Sequence, residues 1–368
     1  MTSLLICIAE ISPRSGSEQV PQEDVFAVLE SNLKTTTEVV KRVAAEGADL
    51  VVFPEYWLQG LVQDREYLVH PARYLVKYLQ HLAKTHNVSI CGTIVEPKSH
   101  QPKQEPSVSP FKHLEDENLE SNGDVWTSYI RRLYSSDEPA TLSAPHAREG
   151  DDKDMPAVKS GREHDDERVE QMINVAYVFE AGTGKAVGRY VKRNLWISER
   201  DYLTSGEDEH EVFELKGIKM GLLICWDLAH STAAGALAQQ GVDVILAPTY
   251  WLAIDSEPAS TEFDPSPDYE VDLVRSLCYT RAFETETVLA MCNAGGPRSK
   301  GFAGGSGVWA PFKGNLRGRQ IASGIQDERG DGYEPAVELF DVELDRLLKV
   351  ARETYQIRQD WNRQAGRS

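Results

Sequence analysis

Residues 47–57 read GADLVVFPEYW. Gly47 stops a helix, residues 49–53 form the near-continuous apolar run typical of a buried strand, and Pro54 ends that run just ahead of a carboxylate, Glu55. Upstream, Val25, Val28, Leu29, Leu33, Val40 and Val43 recur at helical intervals and predict a helix over 23–46. An earlier apolar run, 4–10, predicts a strand. Downstream, the pattern predicts a helix over 65–86 and a strand over 88–95, VSICGTIV. Strand, helix, strand, helix, strand is the signature of an α/β sheet.

The pattern then breaks. Residues 97–170 hold 10 basic and 17 acidic side chains, in clusters such as LEDENLE and EHDDERVE. Polar, proline-containing and weakly periodic, this stretch is expected to be a partly disordered insertion with a short helix at 126–134. It reads either as a solvated loop or as a lid or oligomer contact. Order resumes at MINVAYVFE, where a glycine turn at 181–184 and the run 186–191 predict a β-hairpin. Further strands are expected at 211–215, 218–224, 242–246, 287–292, 306–309 and 336–340, with helices beyond Asp227 and over 269–284. Residues 1–368 are therefore expected to form one large α/β domain carrying an acidic insertion at 97–170.

The net charge of −19 argues against nucleic acid or an anionic membrane as the main partner. The first apolar run is too short for a spanning helix or a signal-peptide core. Five scattered cysteines suggest a reducing, cytoplasmic setting rather than a disulfide framework. Nine histidines without HExxH, and no CxxC, argue against a structural zinc site.

Three residues that follow strand ends carry the chemistry. Cys225 closes the run GLLIC and precedes WDLAH, a strand-to-helix turn where a thiol projects from the sheet and a helix N-terminus favours its thiolate. It reads as a nucleophile or as a buried core thiol; in LLICIAE, by contrast, Ile8 carries the strand on past Cys7. Glu55 reads as a crevice carboxylate or an exposed loop residue, and Lys192, after GRYV, as a shielded ammonium or a solvated charge. Their roles fit one another. A carboxylate takes the thiol proton, the thiolate attacks a carbonyl, and the ammonium steadies the oxyanion.

Here the chain resembles the nitrilase, or carbon–nitrogen hydrolase, superfamily. FPE at 53–55, YVKRNLW at 190–196 and GLLICWD at 221–227 match its three motifs in order. The opening strand, RAFE at 281–284 and GGSGVWAPFKGNL at 304–316 look like their family counterparts, so only 97–170 falls outside the likeness. The resemblance implies a four-layer αββα sandwich with Glu55 as general base, Lys192 as transition-state stabiliser and Cys225 as nucleophile. It further implies Glu199, ahead of Glu207, as a second active-site glutamate, and the Trp226 backbone N–H as an oxyanion donor. No metal or organic cofactor is implied, and a homo-oligomer, dimer or larger, is.

Nitrilases of this family usually carry Cys-Trp-Glu, whereas this chain has Asp227 at the third position. That departure favours a linear amide or N-carbamoyl substrate, with a nitrile as runner-up. Thr285 also departs from the asparagine common after RAFE. Tyr56, Trp57, Trp196, Trp226, Tyr250 and Trp251 fall beside these motifs and read either as an aromatic substrate pocket or as packing at the sheet rim. Two other readings stand beside these: a non-catalytic binding protein, and a cysteine hydrolase with His230 as base.

Overall fold

The computed structural model describes residues 3–15, 25–65, 68–69, 71–98, 171–321, 333 and 335–365. The helix expected at 126–134, and the stretch 99–170 of the expected insertion, lie outside these. Two mixed sheets pack face to face with helices on their outer sides. The first has parallel β1 (Ser3–Glu10), β2 (Leu50–Val52) and β3 (Ser89–Pro97) at its centre. Antiparallel β4 (Met172–Phe179) and β5 (Ala186–Val191) extend it on one side. β13 (Ala336–Glu343) and β12 (Arg319–Gln320) extend it on the other.

The second sheet runs β11 (Gly314–Asn315), β10 (Gly307–Ala310), β9 (Val288–Asn293), β8 (Val244–Thr249), β7 (Ile218–Leu222) and β6 (Val212–Leu215), with β7, β8 and β9 parallel. Helices α1 (Val25–Ala45) and α2 (Ala72–His86) cover the first sheet. Helices α3 (Ser231–Gln239) and α4 (Tyr269–Glu284) cover the second.

Strand alternation builds the layers. On β1, Leu4, Ile6 and Ile8 face the second sheet, while Cys7 and Ala9 face the helices of the first. Each central strand is thus buried on both faces, which is why its sequence is apolar throughout. The four-layer αββα sandwich is the architecture that the sequence predicts. Among the described residues, no helix is long and apolar enough to cross a membrane.

Three expectations shift. The helix expected from residue 65 begins only at Ala72, because Pro71 has no N–H to give a helical interior and suits its start. The helix expected beyond Asp227 is split into a 3₁₀ turn, Cys225–Ala229, and then α3. Two C-terminal helices, α5 (Leu344–Tyr355) and α6 (Ile357–Ala365), were not anticipated. Leu344, Leu348 and Ala351 bury one stripe of α5 at intervals of four and three, the pattern that marks it.

Gly92 on β3 is where the first sheet admits Trp57. A Cβ at this position would overlap the indole ring, and the backbone there is extended, so the constraint is space alone. Gly92→Ala is expected to lower stability by about 1–3 kcal/mol, the usual cost of overpacking. Urea denaturation of the variant against the parent protein measures it.

Candidate active site

Glu55, Lys192, Cys225 and Tyr250 each follow the C-terminal end of a strand: β2, β5, β7 and β8. These ends meet at one rim of the sandwich, where they line a cavity of about 100 Å³. Crevices outside carboxyl ends of strands are where open α/β sheets bind ligands.

Lys192 is wholly buried at the centre of the site. Its ammonium donates to Glu55 Oε1 at 2.8 Å and to both oxygens of Glu199 at 2.7 Å. Glu199 sits on a 3₁₀ turn, Ser198–Asp201, seven residues on, and the Trp196 N–H also donates to its Oε2 at 2.7 Å. The Tyr56 hydroxyl donates a short hydrogen bond to Glu199 Oε1. Glu55 receives a further bond on Oε1 from Asn174 Nδ2, at 2.7 Å. The backbone completes the frame: Glu55 N–H donates to the Thr249 carbonyl, Lys192 N–H to that of Asn174, and Tyr56 N–H to Thr93 Oγ1.

Charge follows from this geometry. Two carboxylates share one ammonium, so the cluster carries one negative charge too many if both ionise. Burial raises the Glu55 carboxyl to about 7, with Lys192 opposing the rise and Glu199 adding to it. The same carboxylates hold the Lys192 ammonium well above its ordinary value despite burial. Burial, then Glu55, pushes the Cys225 thiol well above its ordinary value, so the resting sulfur keeps its proton. This corrects the expectation of a thiolate stabilised by a helix N-terminus, because a short 3₁₀ turn stands where that helix was expected. The thiol and the Glu55 carboxyl interact by a side-chain hydrogen bond.

Cys225 itself lies in the left-handed region, with φ 46°, as does Tyr56 with φ 58°. Such backbone costs of order 1–3 kcal/mol and persists only where the surroundings enforce it. Asp227 does the enforcing at Cys225. Its Oδ2 accepts from the Ile224 N–H and the Tyr190 hydroxyl, both at 2.9 Å. Its Oδ1 accepts from the Asn194 N–H at 3.1 Å and from Asn194 Nδ2 at 2.7 Å. One buried carboxylate thus ties the cysteine turn to the lysine loop, and it does not line the cavity.

Of the aromatic residues singled out from sequence, Tyr56, Trp196, Trp226, Tyr250 and Trp251 line the cavity. Trp226 packs between Trp196 and Trp251, at 4.4 and 5.3 Å between ring centroids. Trp57 does not join them. It stacks on Phe53 at 5.3 Å and donates its Nε1–H to Thr36 Oγ1 of α1. The turn that sends Tyr56 into the cavity sends its neighbour into the helix–sheet core. His230 does not line the cavity either; its ring lies 6.2 Å from that of Trp226.

Asn174, Tyr202 and Asp255 belong to the site and were not anticipated. Asn174 was detectable as the one amide in the otherwise apolar strand MINVAYVF. Among the described residues, no group of three or more His, Cys, Asp or Glu side chains is placed to hold a metal ion.

Comparison with known proteins adds a family and a fold. A family model described as carbon–nitrogen hydrolase matches residues 16–113 and 153–318. An (R)-stereoselective amidase of Pseudomonas sp. is 29% identical over 174 residues, covering 47% of this chain and 53% of that protein. A pantetheinase of Mus musculus is 24% identical over 257 residues, covering 69% of this chain and 43% of that protein. The chain thus spans about half the length of these curated relatives. Among solved structures, an amidase from Nesterenkonia sp. AN1, with the acetamide moiety of fluoroacetamide added covalently at its active-site cysteine, superposes with a TM-score of 0.55. The match covers 98% of this chain and 96% of that one at 17% identity, a likeness of fold.

All five cysteines are unpaired and buried, but Cys225 is the one that lines the cavity. Iodoacetamide on the native protein is expected to alkylate Cys225 and to spare Cys7, Cys91, Cys278 and Cys292, with a rate that rises with pH as the thiol ionises. Peptide mass spectrometry checks the site, and a modified second cysteine would contradict it.

Proposed function

The chain belongs to the carbon–nitrogen hydrolase family, and on that premise we propose that it hydrolyses a linear amide or N-carbamoyl compound through a thioester on Cys225. The observation that carries this reading is the convergence of Glu55, Lys192, Glu199 and Cys225 on one cavity. Glu55 takes the thiol proton as Sγ attacks the carbonyl carbon. The oxygen that gains the electron pair is held by the Lys192 ammonium and the Trp226 backbone N–H. Glu55 returns the proton to the leaving nitrogen, the carbon–nitrogen bond breaks, and ammonia or an amine departs. Water, deprotonated by Glu55, then opens the thioester to the acid and restores the thiol. Glu199 keeps Lys192 in place throughout.

The fully engaged Asp227 supports the amide over the nitrile. Its carboxylate is spent on the cysteine turn and the lysine loop, with none of it in the cavity. A homo-oligomer, dimer or larger, fits the exposed rings of Tyr279, Phe283 and Phe312, and a cytoplasmic setting fits the five free thiols.

Ammonia release from a panel of short amides is expected to vanish in Cys225→Ala and to fall by ~10²–10⁴-fold in Glu55→Gln. Retention of activity in Cys225→Ala would sink the assignment of the nucleophile. Conversion of a nitrile to acid, with amides left untouched, would favour the runner-up.

A base that titrates at about 7 makes kcat/KM rise as pH increases through that value, because only ionised Glu55 accepts the thiol proton. Asn174→Ala removes a donor to the ionised carboxylate, so the midpoint is expected to move to higher pH. A pH profile for each protein reads the shift, and a midpoint that stayed fixed would contradict the role of Asn174.

A further inference from the structure

We infer that Asp255 selects substrates that carry a cationic amine, by pairing the substrate ammonium with its carboxylate inside the cavity that Cys225 lines. The inference rests on the amidase reading above and names its substrate class. Besides the thiol and three tyrosine hydroxyls, four ionisable side chains border this cavity: Glu55, Lys192, Glu199 and Asp255. Three are carboxylic acids and one is a base. Lys192 is spent on Glu55 and Glu199, which leaves Asp255 without a cation.

The surroundings of Asp255 sharpen this imbalance. It lies in the loop after β8, and its Oδ2 accepts the Leu252 N–H at 2.8 Å. Among the described residues, no lysine, arginine or histidine pairs with it. The Lys192 ammonium acts on it from a distance, against Glu270 and Glu199 on the other side. Glu270 is taken by the Trp251 indole N–H at 2.7 Å, whereas Asp255 stays open to the cavity. Burial, with these two carboxylates, raises its carboxyl to about 6, so it is ionised at neutral pH.

An ionised carboxylate in a partly dry wall is costly unless it is paired. A substrate ammonium supplies the missing partner, and the aromatic rings of Tyr250, Trp226 and Trp251 that line the cavity are compatible with the same charge. A neutral chain leaves Asp255 unpaired, and an anionic one adds repulsion. The cavity therefore discriminates by charge as well as by size.

The test compares β-alaninamide with butyramide, a pair of near-equal shape that differs by an ammonium in place of a methyl. In the parent enzyme kcat/KM is expected to favour β-alaninamide by about tenfold or more, as a charge-assisted pair in a shielded site provides. In Asp255→Asn, whose side-chain oxygen keeps the Leu252 N–H bond, that ratio is expected to collapse toward one, whatever the absolute rates. The ratio should also shrink as pH falls through about 6, the value at which Asp255 gains its proton.

Calorimetry in a Cys225→Ala background measures binding of the same two amides without turnover. If neither amide is hydrolysed but β-alaninamide alone binds, and Asp255→Asn abolishes that binding, the amidase reading fails and the charge selection stands. Equal kcat/KM and equal binding for the two amides, or a preference that survives Asp255→Asn, would overturn the inference.

Discussion

One ammonium, Lys192, sits fully buried between two carboxylates, and the rest of the site is arranged around it. A lone charge in that position would be prohibitively expensive, and removing one partner from a buried ion pair typically costs about 3–5 kcal/mol. Glu55 and Glu199 are thus held as much by lysine as lysine is by them. Burial, opposed by Lys192 and reinforced by Glu199, raises the Glu55 carboxyl to about 7, so that it titrates near neutrality rather than staying permanently ionised. Burial, then Glu55, likewise raises the Cys225 thiol well above its ordinary value. Chemistry here depends on a coupled group of side chains, and no member acquires its properties alone.

That coupling demands rigid placement, which the fold supplies from strand ends of both sheets. Glu55 and Lys192 leave the first sheet, Cys225 and Tyr250 the second. Asp227 spans the two by hydrogen bonds to the cysteine turn on one side and to Tyr190 and Asn194 on the other. The family motif that ends in Cys-Trp-Asp is therefore structural at its third position in this chain, and its carboxylate is a tie between layers.

Much of this was legible in the sequence. Buried strands are apolar throughout and terminate in motif residues, so the α/β class could be read from the pattern, while the αββα layering and Glu199 came from the resemblance that the three motifs carry. What escaped did so for identifiable reasons. Trp57 was grouped with the pocket because it adjoins Glu55 and Tyr56, but the left-handed backbone at Tyr56 parts the two rings. Asn174 was hidden by its own strand, whose apolar pattern advertises burial and conceals the single amide aimed at Glu55. Asp255 lies in a loop, where an acidic residue is the commonest sight and only the neighbours across space give it meaning. The C-terminal helices carry a narrow apolar stripe on a polar body, a pattern that low overall hydrophobicity hides beside the apolar strands.

The hairpin of β3 and β4 closes at Pro97 and Lys98, inside the stretch that the sequence marks as an insertion. Pro97 stands opposite Met172, and Lys98 N–H meets the Gln171 carbonyl. Thr93, which holds Tyr56, and Asn174, which holds Glu55, both lie on the inner side of that closure. Since each doubling of a loop costs only about 0.6 kcal/mol in closure entropy, the length between these strands is nearly free of thermodynamic constraint. The positions of Thr93 and Asn174 are therefore set by the strand pairing itself, whatever the length of chain that joins Lys98 to Gln171.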